Sequence, residues 1–180
     1  DIFNVISGFL ITGLLVREIG ATGRVDLPTF YFRRARRLLP AALTVIVLTL
    51  VASAFILSPI RFPSVAGDGA ASAFYVANIR FAVEGTDYLA SAADPSPYQH
   101  FWSLGVEEQF YVIWPLLLAG LLAAGRRLGH PRRFTAVAVA VGAAASAGWA
   151  LWLRTDSPSR AYFGTDARAY QLLAGALLAL

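Results

Sequence analysis

Two adjacent carboxylates, Glu107 and Glu108, stand inside an apolar, aromatic stretch that reads Phe101-Trp-Ser-Leu-Gly-Val-Glu-Glu-Gln-Phe-Tyr-Val-Ile-Trp-Pro115. Carboxylates at the mouth of a membrane helix are costly to keep there, so a working role is the default expectation for them. If a helix begins near His100, then His100, Ser103, Leu104, Glu107, Tyr111 and Trp114 share one of its faces. A partly desolvated carboxylate beside an imidazole and a phenol has the parts of a general base for a hydroxyl. Electrostatics offers a plainer account, because the helix dipole favours carboxylates in a first turn. Glu107 could equally pair with Arg80 or Arg168. His100 follows a proline-rich loop, and suits a helix start as well as it suits catalysis.

The second chemical cluster is Arg33-Arg34-Ala35-Arg36-Arg37. On a helix, Arg33 with Arg37, and Arg34 with Arg37, lie within one turn. Guanidiniums that converge at a membrane surface can grip a phosphate through bidentate, charge-assisted hydrogen bonds. A topology anchor or a contact with anionic lipid explains the same residues. Arg168 stands near the start of the last apolar run, where it would meet an anion or snorkel to the interface. Ser7 and Gly8, with Thr12 and Gly13, are small residues that allow close helix–helix approach.

The elements that must hold these residues are membrane helices. Hydrophobic residues make up 57% of the chain and charged residues 14%, against roughly a quarter charged in soluble domains. The expected fold is all-α, a polytopic transmembrane helix bundle. Uncharged runs at 38–57 and 134–153 are each twenty residues, the length of a full span. Residues 2–16 are slightly short for one. Residues 30–37 read as a short interfacial helix, with Pro40 in the first turn of the next span. Residues 70–83, which hold Asn78 and Arg80, read as a short or re-entrant helix. Residues 86–100 read as an external loop, 101–124 as the central helix and 167–180 as the start of a further span. Arginines at 33–37 and at 126–133 lie on one side, the cytoplasmic one, if 70–83 does not cross fully.

Cysteine is absent, which removes disulfide and thiolate chemistry. His100 and His130 are far apart and no metal-site spacing occurs, so no metal is expected. The net charge of +4 comes from arginines at the ends of apolar runs, where topology accounts for them, and nucleic acid is not an expected partner. There is no methionine, and apolar runs meet both ends of the chain. Residues 1–180 are therefore expected to be part of a larger membrane domain, with further spans on either side.

Four stretches, in order, resemble the acyltransferase family 3 membrane proteins, which include O-antigen and peptidoglycan O-acetylating enzymes. They are Val5-Ile-Ser-Gly-Phe-Leu-Ile-Thr12, Phe30-Tyr-Phe-Arg-Arg-Ala-Arg-Arg-Leu-Leu-Pro40, the stretch from His100 to Pro115, and Tyr162-Phe-Gly-Thr-Asp-Ala-Arg168 followed by Leu172-Leu-Ala-Gly-Ala176. The resemblance implies a multi-pass protein of the bacterial inner membrane, in a bundle of roughly ten spans. It implies transfer of an acyl group, most simply acetyl, from cytoplasmic acyl-CoA to a hydroxyl of an envelope glycan. No bound cofactor is implied, since acyl-CoA is the donor substrate. The family's arginine motif maps to Arg34 and Arg37, with Arg33 beside them, on the donor. Its main histidine lies upstream of Asp1. Glu107, Glu108 and His100 would then serve catalysis, and Ser7, Tyr111 and Arg168 would contact substrate. Where the family commonly has phenylalanine, this chain has Asn4, which leaves the local packing in question. A transporter or flippase, or a catalytically silent homologue, would carry the same charged residues inside a bundle.

Overall fold

In the computed structural model, residues 2–84 and 95–180 are described. They form α1 (Ile2–Thr22), α2 (Leu27–Ile56), α3 (Phe62–Ala73), α4 (Ala77–Val83), α5 (Phe101–Arg127), α6 (Pro131–Asp156), α7 (Pro158–Phe163) and α8 (Thr165–Ala179). No strand occurs among the described residues. Helices α1, α2, α5 and α6 are each long and apolar enough to cross a membrane. The chain is a multi-pass helical membrane protein, as its composition predicts. The expected loop at 86–100 falls largely outside the described residues.

The start of α2 corrects one expectation. Its cap is Asp26, which accepts from the Thr29 backbone N–H at 3.2 Å and from the Thr29 hydroxyl at 2.7 Å. Pro28 occupies the first turn, where its missing N–H is harmless. The helix then runs unbroken for 30 residues. The arginine cluster is therefore its first part, not a separate interfacial helix, and Pro40 lies mid-helix rather than in a first turn. A proline there leaves the Arg36 carbonyl without its helical donor, but Arg36 is exposed and that turn can be solvated. A helix this long measures about 45 Å, more than the hydrocarbon thickness of about 30 Å. Its arginine-bearing turns can therefore reach the headgroups.

The stretch at 70–83 is not one helix either. It breaks between α3 and α4 at Tyr75, whose φ is +56°. Two tyrosine hydroxyls then fix how α2 lies along the α5 segment. Tyr31 donates to the Val112 carbonyl at 2.7 Å, and Tyr98 donates to the Ile46 carbonyl at 2.8 Å. Numbering rises along α2 as it falls along its neighbour, so the two are antiparallel. The chain thus enters α5 on the face where α2 ended, and α3 with α4 makes a re-entrant elbow. Arg33–Arg37 and Arg126–Arg133 consequently share one face of the bundle.

The core of the bundle is α1 against α8, with α5 and α6 beside them. Gly8 and Gly175 let the backbones of α1 and α8 touch: a Cβ on Gly8 would lie 1.9 Å from the Leu172 carbonyl oxygen. Asn4 donates to the Gln171 side chain at 2.7 Å across this contact. The unusual residue at position 4 is therefore a satisfied buried amide. The buried Trp114 indole donates to the Thr12 hydroxyl at 2.8 Å and stacks on Phe110 at 5.0 Å. By contrast α2 buries only Ile46 and Ser53.

At the far end of α6, Asp166 accepts from the Trp149 indole at 2.8 Å and from Arg160 at 3.0 Å. Burial alone would raise its carboxyl, but these two donors outweigh burial and hold it below the ordinary value. A depressed folded value means that its contribution is present above the unfolded pKa, about 3.9, and is lost as pH falls through the folded one. Asp166→Asn should therefore flatten the acid side of the melting profile in detergent, below the ordinary carboxylate pKa. An unchanged acid slope in the variant would remove this ion pair from the account.

Candidate active site

Helices α1 and α2 leave their connecting turn, residues 23–26, and diverge. Between them, floored by α5, opens a cavity of about 880 Å³. Ser7 and Glu18 of α1, Arg33, Arg34 and Arg37 of α2, and Glu107 and Tyr111 of α5 all line it. Each set follows from helical spacing: Glu107 with Tyr111, and Arg33 with Arg37, stand four apart on one face. The cavity begins at the connecting turn, by Thr22, Arg24 and Asp26, and its inner end is at Ser7 and Glu107.

Arg34 spans the inner end. Its Nε lies 3.0 and 2.9 Å from the two Glu108 oxygens, and its Nη2 lies 2.5 Å from Oε1. Its guanidinium also covers the Tyr111 ring, 3.4 Å from the centroid. Both side chains of the pair are largely buried, 23% and 14% exposed. This bidentate, stacked arrangement is the one arginine makes best. It leaves Arg24, Arg33 and Arg37 as the cavity arginines that make no ion pair among the described residues. Glu107 points the other way, its carboxyl beside the Ser7 hydroxyl, which also faces Tyr111.

The residues alone pointed to two sites, an arginine site on one face and an acidic site near the other. The structure joins them in one cavity, because antiparallel α2 carries Arg34 to the level of Glu108. Glu107 pairs with neither Arg80 nor Arg168. Arg80 instead holds Asp68 at 2.7 Å and Glu84 at 2.8 Å. His100 precedes α5, is exposed and does not line the cavity; its ring lies against Phe101 at 4.7 Å. Arg168 lines a different cavity at the opposite end of the bundle. Of the residues expected to touch substrate, Ser7 and Tyr111 are in the main cavity and Arg168 is not.

One network escaped the sequence reading. Gln109 donates to the Tyr75 carbonyl and to the Asn78 side chain, both at 2.9 Å, and accepts from the Thr165 hydroxyl at 2.5 Å. Asn78, fully buried, donates in turn to the Phe163 carbonyl at 3.1 Å and to Thr165 at 3.0 Å. Gly105 makes room, since a Cβ there would sit 2.8 Å from the Asn78 oxygen. This closed set locks the rotation of α5 one residue after Glu108. Its only sequence signal was an asparagine in an apolar run. Among the described residues no group of three or more metal-ligand side chains occurs.

The fold and the cavity define a multi-pass helical membrane protein with a polar, arginine-lined chamber between its spans. The chain belongs to the acyltransferase family 3, whose acyltransferase domain it matches over residues 1–180. It is similar to the peptidoglycan O-acetyltransferase OatA of Listeria monocytogenes, 39% identical over 181 residues, covering 99% of this chain and 28% of the relative. It is similar also to the O-acetyltransferase OatA of Staphylococcus aureus, 38% identical, covering 99% of this chain and 29% of the relative. The chain thus spans less than a third of the length of these relatives. No solved structure gives a significant match.

Proposed function

We propose that this chain forms the donor-side half of an inner-membrane acyltransferase. It would pass an acyl group from cytoplasmic acyl-CoA to a hydroxyl of an envelope carbohydrate. The observation that supports this best is the single cavity. It brings Arg33 and Arg37 into one space with Ser7, Glu107 and Tyr111. The two sets of residues suit the two parts of an acyl-CoA: phosphates on guanidiniums, and the thioester near groups that can take a proton. In the transfer the thioester C–S bond breaks and CoA leaves as thiolate, to be protonated to the thiol, while an acyl–oxygen bond forms and the hydroxyl proton leaves to a base. Glu107 is the carboxylate placed to take that proton, directly or through a histidine delivered by a preceding segment. The relatives' names, peptidoglycan O-acetyltransferase and O-acetyltransferase, favour a cell-wall sugar as acceptor and acetyl as the group.

The geometry divides the arginines more finely than the motif does. Arg33 and Arg37 bind the donor, and Arg34 holds Glu108. Replacing Arg33 and Arg37 together by alanine in the full-length protein should weaken acetyl-CoA binding by about a hundredfold, two charge-assisted contacts. Glycan-dependent acetyl-CoA consumption should fall with it. Unchanged donor affinity in that double variant would end the assignment.

A further inference from the structure

A smaller cavity, about 240 Å³, lies between the α1–α2 turn and the second half of α5, toward the arginine-rich face. Arg24 lines it from the turn and Arg126 from α5, together with Ile19, Leu116, Ala119 and Ala123. We propose that it is a docking site for an anionic phospholipid. The headgroup phosphate would rest on Arg24 and Arg126, and one acyl chain would follow the α5 groove. The proposal stands apart from the acyl-transfer reading and does not need it.

Charge is the first argument. No acidic residue lines this cavity, and its only charged residues are the two arginines. Both are exposed, and neither makes an ion pair among the described residues. Topological bias explains why arginines gather on this face. It does not explain why two of them, from different elements, line one apolar recess. Basic recesses between membrane helices are where anionic headgroups are held. Polarity is the second argument. Pro115, Leu116, Ala119, Ala123 and Arg126 follow one stripe of α5, a helix long and apolar enough to cross a membrane. From Pro115 to Arg126 the stripe runs about 16 Å. It passes from guanidinium to purely apolar side chains, which is the order of groups in a phospholipid. A free phosphate would have no use for the apolar part. Size is the third. The volume is below the range of about 300–1,000 Å³ that small-molecule sites occupy. It suits a phosphate and the first part of one chain better than a nucleotide.

The test titrates the full-length protein in detergent with phosphatidylglycerol or phosphatidylcholine and counts bound lipid by native mass spectrometry. Phosphatidylglycerol should bind about thirtyfold more tightly, the worth of two arginines. Arg126→Gln should cut that preference about fivefold. Arg126 is the variant of choice because Arg24 also lines the main cavity. Arg133, exposed on the same face, does not line the recess, and Arg133→Gln should leave the preference intact. Ala123 is exposed too, so Ala123→Phe should fold; its ring would fill the recess and lower phosphatidylglycerol binding while both arginines remain. Glycerol 3-phosphate, the head without the chains, should not displace the lipid. Equal binding of the two lipids overturns the site. Equal loss from Arg126→Gln and Arg133→Gln also overturns it, leaving only diffuse surface charge. Displacement by glycerol 3-phosphate would make it a phosphate site. Acetyl-CoA binding is measured on the same variants: a loss with Arg126→Gln while the lipid preference holds would make the recess part of the donor path.

Discussion

Glu108→Leu in the full-length protein should cost about 3 kcal/mol of stability and abolish acyl transfer, because it strands Arg34 in a largely buried position. Removing one partner of a buried pair typically costs about 3–5 kcal/mol, whereas removing both is far milder. The pair here keeps some exposure, 23% and 14%, which argues for the lower end. Arg34→Leu alone should cost a similar amount. The double variant, Arg34→Leu with Glu108→Leu, should recover most of the melting temperature in detergent, since a leucine pair suits the surroundings. It should not recover activity, because Tyr111 loses the guanidinium that covers it at 3.4 Å. A double variant as unstable as the sum of the singles would show that the two side chains act independently. Donor binding separates this role from that of Arg33 and Arg37, for the double variant should still bind acetyl-CoA once refolded stability is matched.

The other large effect is steric. Gly8→Ala would bring a Cβ to 1.9 Å from the Leu172 carbonyl oxygen, and Gly175→Ala to 1.9 Å from that of Val5. Both obstacles are backbone, so no rotamer relieves them and α1 must part from α8. Overpacking commonly costs about 1–3 kcal/mol and sometimes more. Here the upper end is expected for each, as small residues are what let these backbones meet. The yield of folded monomer should fall sharply for either. Gly13→Ala is the control on the same helix: nothing lies within 4 Å of its Cβ, and a slight gain in helix propensity is expected. Equal behaviour of Gly8→Ala and Gly13→Ala would show that α1 and α8 do not pack this closely.

The spans were legible because hydropathy and length settle them. That the two arginine clusters share one face was legible because charge bias survives without coordinates. What pairs with what was less so. The sequence offers Arg80 and Arg168 as partners for Glu107, and reads the arginine cluster as a separate site. Only the antiparallel lie of α2, set by Tyr31 and Tyr98, selects Arg34 for Glu108. The break at Tyr75 left no glycine or proline to announce it. Its carbonyl is claimed by Gln109 thirty-four residues on, a contact that no local rule foresees. Asn4 was legible only as a departure, since the reason for it, Gln171, lies 167 positions away. His100 shows the converse fault: a helical face places it in line with Glu107, but the face continues past the end of the cavity.

Two helices joined at one end by the turn at 23–26 and diverging from it enclose an angle. Helix α1 is fixed to α5 by the Trp114–Thr12 bond, and α5 reaches α2 through Arg34 and Glu108. The figure is a triangle with a rigid crossbar, and a triangle whose sides are set has no freedom left in its angle. The width of the chamber is therefore a length, that of one guanidinium laid flat against one carboxylate. A shorter crossbar would narrow the opening for every molecule that enters it, at a point no substrate needs to touch.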